Sequence, residues 1–425
     1  MSPSEVDTIA DAMVVTKAGG GADFHETRPE LQLLTPGRIG NVETRNRFIR
    51  SATYETLADE RGMPTDGYLE LHRRLAAGGV GLNFTGFVSV HPSGKYTPAM
   101  PNFETDAHVE AFARVADAVH AEGGKMFVEI AHAGSQAKVA DDIVAPSAVP
   151  NPAFGHDPRA LEDEEVVELV EAFGQTAGRV KEAGFDGVHV HAGHGYLISE
   201  FLSPVTNVRE DRWGGSPENR LRFTLEVYRA MREAVGPDFP IGWKLGLQDF
   251  IEGGLELSDG LAAAEALDRE GVDALEGTAG LMSRKAESAL QYAGVTRRRA
   301  LSDKLVHRVF AEEQPEAYFV PNTKRLRERV GCTVICVGGL RRIETMEAVI
   351  DDGTADFVSL ARPLIREPEL VRDVENGRRG IVACTSCNIC LMHDGVHPLQ
   401  CWRTSNRKLF EHAWHRVTGK LSAGY

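Results

Sequence analysis

The sequence predicts a (β/α)8 TIM barrel of the α/β class, with an N-terminal arm and a C-terminal extension that contains cysteines. Segments rich in apolar and β-branched residues alternate eight times with longer segments of helical period. Such alternation indicates parallel strands joined by right-handed crossovers. The chain of 425 residues, 42% hydrophobic and 26% charged, can also form one large soluble core. Eight such units close most naturally as a barrel, with the active site where the strands end.

The elements follow from local patterns. Short apolar runs predict strands at residues 47–53, 80–86, 125–131, 188–191, 240–246, 272–277, 333–337 and 355–361. Apolar residues that recur every three or four positions predict helices at 66–77, 107–121, 163–183, 217–235, 258–270, 323–330, 343–350 and 367–376. We therefore expect a flexible arm at 1–30, the barrel at 31–380 and the extension at 381–425. An insertion at 284–322 is interpreted as a lid, a subunit contact or a solvated loop.

Charge and composition exclude several classes of protein. The net charge of −15 argues against a nucleic-acid or anionic-membrane surface, because phosphates would be repelled. The sequence shows neither a secretory signal nor a run long enough to span a bilayer. Six cysteines without an export signal indicate a reducing compartment, so we expect a cytoplasmic location; a small-molecule partner is a better match to this surface than a nucleic acid or a membrane. A homo-oligomer is left open.

A long polar loop follows the fourth strand. His191, His194 and Tyr196 stand at its start, and each can donate or accept a proton. The loop then carries far more turn-forming and polar residues than a strand-to-helix connection needs. Such a loop at a strand end is typical of a functional site.

The motifs of this loop resemble a known family. His-Ala-Gly-His-Gly-Tyr-Leu at 191–197, Phe-Leu-Ser-Pro at 201–204 and Gly-Gly-Ser-Pro-Glu-Asn-Arg at 214–220 are similar to the signature of the old yellow enzyme group. The resemblance extends over about residues 33–376. It implies an FMN-dependent NAD(P)H:flavin oxidoreductase that reduces an activated alkene. It also implies that His191 and His194 hydrogen-bond an oxyanion while Tyr196 supplies the proton.

The strand ends supply groups for the cofactor. Gly338-Gly339 after strand seven and Arg362 after strand eight suit a single phosphate at that position of a barrel, although paired glycines alone more often form a tight turn. The resemblance implies FMN across the rim, with Lys244 and Glu129 near its pyrimidine edge, and NAD(P)H as reductant. The residues expected to contact FMN are Ser51, Ala52, Thr53, Tyr54, Glu129, Lys244, Gly338, Gly339, Ala361 and Arg362.

Several positions depart from the common pattern of the family. Glu129 stands where most ene-reductases have glutamine, Lys244 where they have arginine, and Ser135 where arginine is usual. Tyr54 occupies a position that often carries a flavin-tuning cysteine or threonine. A carboxylate near the pyrimidine would disfavour anionic reduced flavin and Lys244 would offset it, so the sign of the net effect is left open.

The extension carries a cysteine cluster. Cys384, Cys387, Cys390 and Cys401 have a spacing similar to that of the trimethylamine dehydrogenase and 2,4-dienoyl-CoA reductase branch, which implies a [4Fe–4S] cluster. Zinc, or a motif that no longer binds, remains an alternative. The cluster and Glu129 also support the main rival function, an amine dehydrogenase or N-demethylase with FMN.

Two further alternatives have less support. His189-Val190-His191 resembles the paired metal ligands of amidohydrolase barrels, but a metal-dependent hydrolase needs more histidines at later strand ends, and strands five to eight supply none. A barrel that serves only as a binding or scaffold protein remains the other alternative, although the acid–base set is intact.

Overall fold

The computed structural model describes residues 31–139, 142–151, 157–281 and 316–421. The predicted arm at 1–30 and most of the predicted insertion at 284–322 lie outside these ranges. The described strands are β1 (Gly37–Ile39), β2 (Val42–Thr44), β3 (Phe48–Arg50), β4 (Leu82–Phe84), β5 (Val88–Ser89), β6 (Lys125–Ala131), β7 (Val144–Ala145), β8 (Arg159–Ala160), β9 (Gly187–Ala192), β10 (Ile241–Gln248), β11 (Ala274–Ala279), β12 (Thr333–Val337) and β13 (Phe357–Leu360).

Eight of these strands form a closed parallel barrel. Strands β3, β13, β12, β11, β10, β9, β6 and β4 follow one another around the sheet, and β4 pairs with both β3 and β6. The sheet therefore has no free edge between the first and last barrel strands. The predicted (β/α)8 barrel is confirmed, and two predicted strands have the same bounds in the structure, Lys125–Ala131 and Thr333–Val337.

Helices cover the outside of the barrel. They are α1 (Asp66–Ala77), α2 (Asp106–Ala121), α3 (Asp163–Glu182), α4 (Leu197–Leu202), α5 (Pro217–Val235), α6 (Leu257–Glu270), α7 (Val320–Arg327), α8 (Ile343–Asp351), α9 (Arg362–Arg366), α10 (Leu370–Glu375) and α11 (Asn406–Val417). Thr65 and Ser216 cap α1 and α5 by accepting hydrogen bonds from backbone N–H groups of the first turn. None of the described helices combines the length and apolarity needed to cross a membrane.

The region after the eighth strand differs from the prediction. One helix was expected at 367–376, but α9 and α10 are separate and Pro368 lies between them. Proline disfavours a helical conformation in the residue before it, here Glu367, so the chain turns at this point. Helices α4 and α11 were not predicted.

The C-terminal extension packs against the mouth of the barrel. The Gly395 N–H donates to Thr56 Oγ1 at 3.1 Å, and the Leu399 N–H donates to the Glu55 carbonyl oxygen at 2.9 Å. Thr56 and Glu55 belong to the loop that follows β3, the first barrel strand. The extension therefore contributes directly to the rim where the strands end.

Candidate active site

A cavity of about 200 Å³ opens where the barrel strands end. The predicted residues that line it are Ser51, Ala52, Thr53, His194, Lys244, Gly338, Gly339, Ala361 and Arg362. They come from opposite sides of the barrel and meet only because the sheet closes. Thr278, Ser386 and Leu391 line the same cavity and were not predicted. The predicted residues Tyr54, Glu129, His191 and Tyr196 are not among its lining residues.

The glycine pair forms one corner of this cavity. Gly338 and Gly339 have φ of 99° and 73°, a region that L side chains rarely adopt. A Cβ added at Gly338 would lie 2.4 Å from the Phe319 ring, and one at Gly339 would lie 2.6 Å from the Tyr318 ring. Both positions therefore require glycine, which leaves the backbone exposed at the cavity wall.

Arg362 adds a positive charge to this corner. It begins α9 directly after β13, and its guanidinium contacts the side-chain oxygen of Asn388 in the extension. Exposed backbone beside a guanidinium is the donor set that a phosphate monoester needs. The residues present therefore fit the phosphate of FMN at the end of the seventh and eighth barrel strands.

The two histidines and the tyrosine of the loop after β9 converge. The ring centroids of His191 and His194 are 4.9 Å apart, and those of His191 and Tyr196 are 4.7 Å apart. His194 has φ of 57°, and its backbone N–H donates to the Ala279 carbonyl oxygen at 3.1 Å. Its Nε2 lies 2.9 Å from Thr278 Oγ1. This left-handed turn directs the His194 ring to the cavity.

Burial shifts the pKa of both histidines below the usual value. Burial lowers the pKa of His191, although the nearby Glu129 carboxylate opposes the effect. Burial also lowers the pKa of His194 well below its usual range, and the charges of His191 and Lys244 lower it further. One nitrogen of each ring already has a polar partner: His191 Nδ1 lies 3.2 Å from Glu129 Oε1, and His194 Nε2 lies 2.9 Å from Thr278 Oγ1.

An aromatic wall stands beside these groups. The ring of Phe87 stacks on Tyr54 at 4.8 Å and meets Tyr196 edge-on at 5.3 Å. Tyr96 completes the wall, and Lys138 Nζ donates to its hydroxyl oxygen at 2.8 Å. Burial raises the pKa of Tyr54 and Tyr96, so both remain protonated. This wall gives the site an apolar face on the side of Tyr196.

Charged residues are buried beneath the cavity. Lys244 Nζ lies 2.8 Å from Glu129 Oε2 and 3.3 Å from Glu276 Oε2. Burial opposes ionisation of Lys244, but the attraction of Glu129 and Glu276 raises its pKa overall. Burial also disfavours the Glu129 carboxylate, yet Lys244 and His191 lower its pKa well below the usual range. Glu276 was not predicted as a site residue, although a carboxylate within an apolar strand could have indicated one.

The same region contains a close set of potential metal ligands. Donor atoms of Glu129, His189 and Glu276 all lie within 4.8 Å of one another. The Lys244 ammonium already contacts both carboxylates, however, and so takes the place that a cation would occupy. This arrangement does not favour the metal-dependent hydrolase considered from the sequence.

The remaining polar residues of the loop motif have structural contacts. Asn207 donates to the carbonyl oxygens of Phe201 and Trp213, both at 2.8 Å. Arg209 donates to the Pro146 carbonyl oxygen at 2.9 Å and pairs with Asp211. These contacts fix the path of the loop, whereas its first residues face the site.

The four cysteines of the extension surround a second cavity, of about 140 Å³. Cys384, Cys387, Cys390 and Cys401 all line it, together with Arg362, Arg366 and Arg403. Burial raises the pKa of the Cys390 thiol to about 12. Arg362 lines both cavities, so the cysteine site and the predicted phosphate site are neighbours.

A closed parallel barrel whose seventh and eighth strands end at a glycine pair and an arginine, with proton-donating side chains at the same rim, is typical of enzymes of the TIM-barrel class. Residues 32–380 match the family model described as the NADH:flavin oxidoreductase / NADH oxidase family. The chain belongs to this family. The predicted family, its oxidoreductase class and its flavin and nicotinamide cofactors, FMN and NAD(P)H, are thereby confirmed.

Individual relatives agree with this assignment. The chain is 37% identical over 363 residues to an NADH oxidase of Thermoanaerobacter brockii, covering 84% of this chain and 53% of the relative. It thus spans about half the length of that protein. A 2-naphthoyl-CoA reductase structure has a TM-score of 0.78 at 26% identity, over 90% of this chain and 58% of that one. An old yellow enzyme homologue from Zymomonas mobilis has a TM-score of 0.67 at 26% identity, over 84% of this chain and 96% of that one.

Proposed function

We propose that the protein is an FMN-dependent oxidoreductase that uses NAD(P)H to reduce the C=C bond of an activated alkene, such as an enone. The observation that carries this proposal is the convergence of His191, His194 and Tyr196 beside the main cavity. The rings of His194 and Tyr196 both lie within 5 Å of the His191 ring. Two imidazole rings and one hydroxyl close to a single point suit an acceptor that gains electron density on oxygen and a proton on carbon.

Each residue of this set has one role. His191 and His194 donate N–H groups to the carbonyl oxygen and so polarise the conjugated double bond. Tyr196 gives its proton to the α-carbon, and its edge-on contact with Phe87 holds the ring beside His191. When bound, FMN supplies the hydride transfer between NAD(P)H and the β-carbon of the alkene.

The FMN contacts are proposed from the lining of the main cavity. Gly338, Gly339 and Arg362 hold the phosphate, while Ser51 to Thr53 and Lys244 lie along the ring. Ala361 precedes Arg362 in the same corner. Glu129 acts through Lys244, since it contacts the ammonium and does not line the cavity. Tyr54 belongs to the aromatic wall rather than to the cavity surface.

We also propose that the four cysteines hold a [4Fe–4S] cluster. Around a tetrahedral zinc ion with Zn–S bonds of about 2.3 Å, the sulfurs would lie about 3.8 Å apart. Among the described residues, no three of these sulfurs lie within 4.8 Å of one another. A cluster contains its own iron and sulfide atoms and so spreads its thiolates more widely. The three neighbouring arginines would balance the negative charge of the ligands.

An amine dehydrogenase or N-demethylase is the second candidate function. The adjacency of the cysteine cavity to the main cavity favours it, because electrons taken from an amine could leave through the cluster. The histidine pair and Tyr196 favour alkene reduction. The division into an arm at 1–30, a barrel at 31–380 and an extension at 381–425, a cytoplasmic location and a homo-oligomer remain predictions.

Anaerobic spectroscopy separates the two functions. Protein loaded with FMN is titrated with NADH and NADPH, and then with cyclohexenone or an N-methylated amine. We expect a nicotinamide nucleotide to bleach the flavin bands and the enone to restore them. Bleaching by the amine, with no recovery on adding enone, would reject the reductase in favour of the dehydrogenase.

Iron analysis tests the cysteine site. Protein purified without air should contain about four irons per chain and a broad absorption near 400 nm. Cys384→Ser should lose both signals. Cys332→Ser is the matched control, because Cys332 lies before β12 and is not among the residues that line the cysteine cavity. Zinc in place of iron, or equal iron in both variants, would contradict the assignment.

A further inference from the structure

Beneath the main cavity, four side chains form a ring of alternating charge. Lys244 bridges the two carboxylates of Glu129 and Glu276 on one side of the ring. His189 faces the same two carboxylates on the other side, with Nδ1 3.0 Å from Glu129 Oε2 and Nε2 3.8 Å from Glu276 Oε2. All four residues are at most 3% exposed. They come from four neighbouring barrel strands, β6, β9, β10 and β11.

The charges of this ring balance only if it holds one further proton. Glu129 and Lys244 are both ionised, since the pKa of each is shifted towards its charged form. With Glu276 also ionised and His189 neutral, the ring would hold one uncompensated negative charge in the barrel interior. An unpaired buried charge is costly, and a proton bound within the ring removes it.

The geometry of His189 points to the place of that proton. A neutral imidazole has one donor nitrogen and one acceptor nitrogen, whereas both nitrogens of an imidazolium are donors. Both ring nitrogens of His189 face carboxylate oxygens, so a neutral ring would turn a lone pair towards one of them. Nε2 makes no hydrogen bond among the described residues, and the nearby Glu276 oxygen is at ion-pair distance. The ring also stacks on Phe84 with centroids 4.3 Å apart, which fixes its orientation.

We propose that His189 is held as an imidazolium and that His189 and Glu276 are positioning residues, which with Glu129 fix the Lys244 ammonium at the floor of the FMN site. The ring is then neutral as a whole. Lys244 alone among its members lines the main cavity, so the other three act on the flavin through it and through their charges. The proposal rests on the proposed function only in placing FMN above Lys244.

Flavin potentials test the charge of the ring. His189→Gln keeps a polar side chain and removes the cation, so the ring changes from neutral to −1. Added negative charge disfavours reduced FMN, and we expect the equilibrium constant for its reduction to fall at least tenfold, or about 30 mV for a two-electron couple. The double variant His189→Gln/Glu276→Gln keeps Lys244 and Glu129 and is neutral again. Its potential should return to within threefold of that of the unmodified protein.

A neutral His189 would give a different potential in each of these two variants. If His189 is neutral, His189→Gln leaves the charge and the potential unchanged, and the double variant raises the equilibrium constant at least tenfold. Either observation would overturn the proposal. Potentials are compared at one pH and ionic strength, with FMN content and thermal unfolding measured for each variant.

A second measurement does not depend on FMN. Nitrogen NMR of the full chain with 15N-labelled histidine reports the protonation of each ring, and His189→Gln identifies the His189 signals among the 15 histidines. We expect both His189 nitrogens to be protonated at pH 8, facing Glu129 and Glu276, with Lys244 and His191 as the other titratable neighbours. Signals of a neutral imidazole would refute the proposal. If the protein binds no FMN, the proposed function fails while this test still decides the state of His189.

Discussion

Lys244 Nζ lies 2.8 Å from Glu129 Oε2, so two residues that depart from the usual family pattern form one buried ion pair. Each side chain is at most 4% exposed. Lys244 also contacts Glu276, and Glu129 also contacts His189, so this pair is part of a larger buried set of charges.

Loss of Lys244 should destabilise the protein strongly. Lys244→Met leaves Glu129 and Glu276 without their shared ammonium, and breaking a buried pair in this way costs roughly 3–5 kcal/mol of the free energy of unfolding. Lys324→Met is the control, because Lys324 and Asp352 are more than half exposed and 3.8 Å apart, so its removal should change little. Chemical denaturation measures the free energy of unfolding of both variants. An equal loss of stability in the two would show that burial of the Lys244 ion pair has no effect.

Tyr196→Phe should separate the two half-reactions. The phenylalanine ring keeps the edge-on contact with Phe87 and removes only the hydroxyl. Reduction of bound FMN by NAD(P)H should stay within twofold, while reoxidation by an enone should slow by about 10²–10⁴ because the general acid is lost. Stopped-flow absorbance follows both steps.

Tyr96→Phe provides the matched control for this experiment. Tyr96 belongs to the same aromatic wall, and its hydroxyl accepts a hydrogen bond from Lys138. Removing that hydroxyl should leave reoxidation by the enone close to that of the unmodified protein. If Tyr96→Phe slows it as much as Tyr196→Phe, the proton does not come specifically from Tyr196.

The barrel could be predicted from the sequence because its signal is local. Each strand is a short apolar run and each helix a periodic one, so β6 and β12 are found at their predicted bounds. Helix α11 escaped prediction because the extension was interpreted only through its cysteines. The cysteines could be found from their spacing, since all four lie in one short segment, whereas the glycine pair gained a role only from its place after the seventh strand and from Arg362 after the eighth.

The buried charge ring could be predicted only in part. Lys244, Glu129 and Glu276 each stand out as a charge in an apolar strand, but their contacts with one another and with His189 follow only when strands β6, β9, β10 and β11 become neighbours. The alternation of inward and outward positions along a strand predicts that a side chain points into the barrel. It does not predict which other side chains that side chain contacts. Thr278 beside His194 was missed for the same reason, since 84 positions separate the two.

Gly339→Ala should weaken FMN binding. The residue has φ of 73°, and an added Cβ would lie 2.6 Å from the Tyr318 ring at the phosphate corner. We expect the dissociation constant for FMN to rise at least tenfold, measured by fluorescence titration of the apoprotein. Gly353→Ala is the control, because its φ is 72° and nothing lies within 4 Å of an added Cβ. It shares the backbone strain, so an equal rise there would indicate a general loss of stability.

Glu200 should make stability depend on pH. It lies on α4 one turn after Tyr196, fully buried, where its carboxyl accepts hydrogen bonds from the Ser135 N–H and hydroxyl. Burial raises its pKa from 4.5 to about 8, and the contacts with Ser135 only partly oppose this. Between these two values the folded protein holds a proton that the unfolded chain releases. The contribution of Glu200 is therefore full below pH 4.5 and is lost as the pH rises to about 8.

Glu200→Gln isolates this effect, since glutamine has the same shape and does not titrate. Other groups contribute equally to both proteins, so the difference between their free energies of unfolding reports Glu200 alone. This difference should shift in favour of the variant by about 1.4 kcal/mol per pH unit across the window and become constant above pH 8. Urea unfolding at pH 5, 6, 7 and 8 measures it. A difference that is the same at all four pH values would mean that Glu200 is ionised in the folded protein.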